Sequence, residues 1–214
     1  MSERLAATPL RRSVLAHRRA LVVNSGEVRL AEIPFLGKFI LRADRHAVVE
    51  PLRSALGLGL PFDPLTSSSS GDTAFLWIGP DEWMLVTAPE AADGRARAAA
   101  ATLTGLHHQF VDVTDYYTTI EVAGLPARAL LMKLTTLDLH PRAFKPGMTT
   151  GSLFGRTQAT IWHTADDAEE RGPVFRLFVR WSMADYLWCL LADAGREWNI
   201  PEQVPVTGER LTLG

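Results

Sequence analysis

The stretch TAFLWIGPDEWMLVT, Thr73 to Thr87, decides how this chain is read. Two β-prone runs, Thr73–Ile78 and Trp83–Thr87, flank Gly79-Pro80-Asp81. Glycine and proline supply the backbone angles of a tight turn, and aspartate supplies a local acceptor. The stretch is therefore a β-hairpin, and it sets an antiparallel pattern for its surroundings. Upstream, Pro61, Pro64, the Ser67–Ser70 run and Gly71 read as a solvated loop over residues 60–72. Earlier still, Val28–Ile33 and Lys38–Arg42 are strand candidates. Asp44 is the expected N-cap of a helix carrying Val48, Leu52, Ala55 and Leu56, closed by Gly57 and Gly59. Pro51 falls inside that helix, where it removes a donor and crowds the preceding turn, so a kink or a late start is expected. Downstream, Ala91–Leu103 is an alanine-rich helix, followed by strands at Phe110–Thr114 and Thr118–Val122.

The second half repeats the order. Gly124-Leu125-Pro126 opens a helix whose apolar face is Ala127, Leu130, Leu131 and Leu134. Strands follow at Met148–Phe154, Thr157–Trp162 and Val174–Arg180, with a charged loop over 166–172. Ser182 and Asp185 form an expected capping box for a last amphipathic helix, which Pro201 stops. Leu58-Gly59-Leu60-Pro61 and Leu137-Asp138-Leu139-His140-Pro141 occupy matching places in the two halves. The reading is an α+β fold of duplicated strand-helix-strand-strand-helix units with antiparallel-rich sheets, each sheet burying one face under its helices. The expected organisation is a flexible basic tail over 1–26, a first α+β subdomain over 27–116, a second over 117–200, and a C-terminal tail over 201–214.

Composition narrows the function. The 214 residues are 47% apolar and 21% charged, which suits a globular chain rather than a disordered one. The net charge of −2 gives no basic field for nucleic acid. No apolar stretch approaches the ~20 residues a membrane helix needs, and no secretory h-region opens the chain, so a cytoplasmic location is expected. A single cysteine, Cys189, excludes a disulfide framework and a thiolate zinc site.

Catalytic constellations are thin. The six histidines make no H-E-x-x-H and no helical i, i+4 pair, and His107-His108 point to opposite faces of a strand. Asp112 and Asp115 flank a strand-to-strand turn, where aspartate satisfies backbone donors; Tyr116 and Tyr117 follow, placed to face a partner or ligand. Neither a dinucleotide glycine motif, nor a phosphate loop, nor a nucleophile elbow occurs. Cys189 has no cation at ±3 or ±4 and reads as an inert thiol. Of six tryptophans, Trp188 falls off the main apolar stripe of its helix beside Tyr186, which makes Tyr186 and Trp188 the candidate interface pair. No catalytic, cofactor-binding or metal-ligating residue is assigned.

The segment Trp77-Ile78-Gly79-Pro80-Asp81-Glu82-Trp83-Met84-Leu85 resembles a hairpin of the gamma subunit of heterotetrameric sarcosine oxidase. Leu137-Asp138-Leu139-His140-Pro141-Arg142-Ala143-Phe144, with Pro146-Gly147 after it, resembles that family's second-half signature. The Phe175–Val179 strand and the helix with Tyr186-Leu187-Trp188 fit as well, so the resemblance covers roughly residues 30–198. It implies the folate-binding fold of glycine-cleavage aminomethyltransferases. It also implies a non-catalytic subunit that assembles with alpha, beta and delta chains, with FAD, FMN, NAD, zinc and tetrahydrofolate on those partners and no cofactor of its own. The alternatives are a free-standing folate-binding or aminomethyltransferase-like protein, and a gamma-like subunit of a related N-methyl amino-acid dehydrogenase.

Overall fold

A computed structural model describes residues 12–18, 22–24, 27–167 and 172–202. Within them the strands are β1 (Val22–Asn24), β2 (Arg29–Glu32), β3 (Gly37–Ala43), β4 (Ser67–Ser70), β5 (Thr73–Gly79), β6 (Glu82–Thr87), β7 (His108–Asp112), β8 (Tyr117–Ala123), β9 (Thr149–Phe154), β10 (Thr157–Asp167) and β11 (Gly172–Arg180). The α-helices are α1 (Arg45–Leu56), α2 (Ala92–Leu103), α3 (Ala127–Met132) and α4 (Ala184–Ala194). One sheet has the order β4-β5-β6-β3-β7 and the other β1-β2-β8-β11-β10-β9, with neighbouring strands antiparallel throughout. The α+β class and the duplication both stand. The four strands β4-β5-β6-β3 and the four strands β9-β10-β11-β8 follow the same order, and one helix falls at the same place in each.

Strand alternation builds four layers. In the expected hairpin, Phe75, Trp83 and Leu85 face α1 and α2, joining Val48, Leu52, Leu56, Ala99 and Leu103. Their neighbours Ala74, Leu76, Met84 and Val86 face the other way and meet Trp162 and Phe178 of the second sheet. That sheet turns Ile161, Phe175, Leu177 and Val179 toward α3 and α4. Each side chain period of two thus serves a helix on one face and a sheet on the other.

Several local expectations change. Ser67–Ser70 is an edge strand rather than a loop, because its backbone pairs with Thr73–Leu76 and serine demands no burial on an edge. The helix α1 begins at Arg45, not late: Asp44 accepts the His46 N–H at 2.9 Å, and Val48, Val49, Leu52 and Leu56 bury the face that carries the helix past Pro51. No capping box forms at α4. Ser182 lies in a 3-10 turn, Trp181–Met183, and Asp185 is engaged elsewhere. The strand β2, read as part of the first half, pairs with β8 in the second sheet. Of the expected N-terminal tail, residues 12–18 pack against the body, with Leu15 fully buried and Arg18 7% exposed. The remaining tail positions 1–11, 19–21 and 25–26, and 203–214 at the other end, lie outside the described residues.

Candidate functional site

The N-terminal strap at Arg12–Arg18 lies between the start of α4, the β2–β3 turn and the β7–β8 turn. Apolar packing holds its Leu15, and polar contacts hold the rest. Arg18 Nη2 lies 2.6 Å from Asp185 Oδ1, and His17 Nε2 lies 2.7 Å from the same oxygen. Arg18 also donates to Cys189 Sγ at 2.8 Å. Burial raises the thiol of Cys189 above its ordinary range despite that cation, so an inert thiol is the physical expectation. The sequence window around Cys189 held no cation because the nearest one comes from 171 residues away.

Beneath the strap is a cavity of about 540 Å³. Glu32, only 5% exposed, lies on its wall at the end of β2. Its carboxylate accepts from Ser13 Oγ and from Thr118 Oγ1, the latter at 2.7 Å. Aromatic rings of Phe35, Tyr117 and Trp181 line the same space. Phe35 has φ of +64°, a left-handed conformation that costs a bulky residue about 1–2 kcal/mol. Trp181 is 57% exposed, and its backbone N–H donates to the Tyr116 carbonyl at 3.0 Å. Burial, then the neighbouring Tyr116, pushes the Tyr117 phenol above its usual range, so it is a neutral donor.

The expected interface pair divides. Trp188 is fully buried in the second core, which corrects the reading of an exposed pair: α4 is sandwiched tightly enough for positions off its main stripe to be covered too. Tyr186 keeps 37% exposure, while its hydroxyl accepts the Arg156 N–H at 3.2 Å and closes the β9–β10 turn. Trp77 and Trp83 face each other across the hairpin, and Trp83 donates from Nε1 to the Pro61 carbonyl at 2.9 Å. Both pack on this chain's own first core. Asp81 pairs with Arg42 at 3.0 Å. Asp112 accepts the Thr114 N–H at 2.8 Å, the turn role expected of it.

Around the Leu137–Phe144 segment the chemistry is structural. Asp138 accepts the His140 N–H at 2.9 Å, and His140 Nδ1 accepts the Arg142 N–H at 3.2 Å. Arg128 donates to the carbonyls of Leu139 and Phe144 at 2.6 and 2.9 Å. It also reaches His163 Nδ1 at 3.4 Å, while His163 Nε2 donates to Asp166 at 3.0 Å. These contacts fix the tautomer with its proton on Nε2. The ring is fully buried, 4.7 Å from the Phe175 ring, and burial followed by the Arg128 charge lowers its pKa. Sequence reading passed over Glu32, Arg128 and His163, since a lone residue in a strand or helix carries no spacing signal.

Residues 42–197 match the sequence model of the sarcosine oxidase, gamma subunit family. The chain belongs to the sarcosine oxidase gamma subunit family. Two gamma subunits of sarcosine oxidase agree. One from an Arthrobacter species is 34% identical over 170 residues, covering 77% of this chain and 82% of that one. One from Corynebacterium sp. strain P-1 is 32% identical over 169 residues with the same coverage. The heterotetrameric sarcosine oxidase from Corynebacterium sp. U-96, solved with pyrrole 2-carboxylate, contains a chain that superposes with a TM-score of 0.76 at 26% identity. That match covers 91% of this chain and 100% of the other. The glycine cleavage aminomethyltransferase T of Bartonella henselae matches with a TM-score of 0.61 at 14% identity, over 86% of this chain and 48% of the enzyme, and it shares the fold. For a gamma family member, the hairpin and the Leu137–Phe144 signature are thus explained as fold determinants. Among the described residues, no group of three or more His, Cys, Asp or Glu side chains is placed to hold a metal ion, and no helix is long and apolar enough to cross a membrane.

Proposed function

We propose that this chain serves as the non-catalytic gamma subunit of a heterotetrameric, flavin-dependent sarcosine oxidase. The complex converts sarcosine to glycine, with the methyl carbon leaving as formaldehyde or methylene-tetrahydrofolate and oxygen reduced to hydrogen peroxide. The observation that carries this reading is the superposition of 91% of this chain on the whole of a chain of the Corynebacterium heterotetramer, together with the family match over residues 42–197. The partners are the alpha, beta and delta subunits, in the cytoplasm. FAD, FMN, NAD, zinc and tetrahydrofolate belong to those partners. The role of this chain is assembly and stabilisation, and the described polar groups around the Leu137–Phe144 segment support that, being spent on turns and internal contacts. The exposed edge of Tyr186 is part of the surface that meets a partner.

The test is co-expression of a tagged version with the three partner chains, followed by affinity capture and a visible absorption spectrum. A yellow complex that consumes oxygen with sarcosine is the expected result. Omission of this chain should lower the yield or lifetime of the complex without changing the flavin spectrum of what remains. Failure to retain any flavoprotein would overturn the reading.

A further inference from the structure

Among the described residues, no cationic side chain is paired with the buried carboxyl group on the wall of the cavity beneath the strap. Glu32 is more than nine-tenths buried, and its two partners, Ser13 and Thr118, are hydroxyls. Among the described residues no lysine, arginine or histidine pairs with it. The contrast with Asp185 on the same cavity is direct: that carboxylate is more exposed, yet it holds both Arg18 and His17. A carboxylate withdrawn from water is costly unless a cation answers it, and hydroxyl donors answer it only in part. The rest of the lining is mixed in charge, with Arg12 and His17 beside Asp115 and Asp185, and its aromatic part favours the same visitor. Phe35, Tyr117 and Trp181 belong to that lining, and aromatic rings attract a guanidinium or alkylammonium group. A volume of about 540 Å³ is well within the range of organic ligand pockets. Phe35 keeps its place on that wall in a left-handed backbone conformation, although the fold would be relieved by glycine there.

We infer that this cavity is a binding site for an organic cation, a guanidinium or alkylammonium group that pairs with Glu32 between the aromatic walls. The cation comes either as a free small molecule or as a basic side chain of a partner subunit. The inference concerns this chain's own cavity and stands whether or not the subunit reading holds.

The test uses the full chain, labelled so that the Trp181 indole N–H is resolved by NMR. The probes are methylguanidinium and tetramethylammonium, with methylurea as a neutral shape control. Saturable shifts at Trp181 with the cations, and binding of methylurea weaker by about tenfold or more, are expected. Glu32→Gln should weaken methylguanidinium by about tenfold, and the exposed Trp181→Ala should weaken tetramethylammonium even if the first variant folds poorly. Repetition in the co-purified complex separates the two sources: a site still open to the probes takes a free cation, and a site closed to them is filled by a partner's side chain. Absence of saturable cation binding to the chain, or equal binding of methylurea, would overturn the inference.

Discussion

Arg18 and Asp185, 167 positions apart, meet through a guanidinium Nη2 only 2.6 Å from the carboxylate oxygen. The Arg18 side chain is 3% exposed, and that of Asp185 36%. This pair latches the N-terminal strap to α4 and roofs the cavity. Arg18→Ala should therefore destabilise the chain by about 2 kcal/mol, since a carboxylate loses its charged partner. For a chain of this size that lowers Tm by roughly 4–8 °C. Asp185→Ala should cost a similar amount, and the double variant little more than either. Calorimetry of the three variants checks the coupling; strictly additive losses would show that the two residues act independently.

Gly124 shows a different kind of constraint. Its φ is +112°, and a Cβ there would lie 2.0 Å from the Glu27 carbonyl oxygen. Backbone cannot move aside as a flexible side chain does. Gly124→Ala is expected to cost about 3 kcal/mol or more, or to prevent accumulation of folded chain. Gly57, which ends α1 at φ +68°, has nothing within 4 Å of such a Cβ. Gly57→Ala should cost only about 1 kcal/mol, the backbone penalty alone. Parallel urea denaturation distinguishes the two.

His163 makes stability depend on pH. Its folded pKa lies below the ordinary value of 6.5, first because it is buried and then because of Arg128. The unfolded chain thus binds the proton more readily than the folded chain. The sign follows: this contribution is fully present above about pH 6.5 and is lost as pH falls through the unfolded value toward the folded one. His163→Phe keeps the stack with Phe175 and should flatten the acid limb of the stability profile below pH 6.5, at some cost in stability at pH 7.5 because Arg128 and Asp166 lose a partner. An unchanged acid limb would assign it to other groups.

Trp188 and Tyr186 should separate in mutagenesis. Trp188→Ala empties part of a fully buried core and is expected to cost about 3–5 kcal/mol, seen as a loss of soluble chain. Tyr186→Ala leaves a foldable chain with a loosened β9–β10 turn and should reduce capture of partner subunits. Size-exclusion chromatography before the capture experiment separates the two effects.

Much of this fold is legible in the sequence where local chemistry and tertiary need agree. The Gly79-Pro80-Asp81 turn, the Asp44 cap and the helix after Pro126 are written in residue types that serve the same purpose in any context. The reading goes astray where a distant segment intervenes. Asp185 looks like a helix cap until Arg18 and His17 arrive to take its oxygen. Trp188 looks free until the layers close around α4. Ser67–Ser70 has the composition of a loop, yet a neighbour's backbone is enough to make it a strand. The cavity was the least legible feature, because Glu32, Tyr117 and Trp181 come from three separate strand ends.

The pairing of β2 with β8 places the whole first unit between two adjacent strands of one sheet. In topological terms the first half is an insertion, and the second half is discontinuous. Loop closure across that insertion must be completed before the larger sheet gains β2 and β1, whereas β3 to β7 are contiguous and can form on their own contacts. During synthesis the N-terminal strand therefore waits for residues more than eighty positions downstream. A fragment cut at the midpoint of the sequence would strand β2 on the wrong piece and leave β8 with a bare edge, prone to pair with another chain.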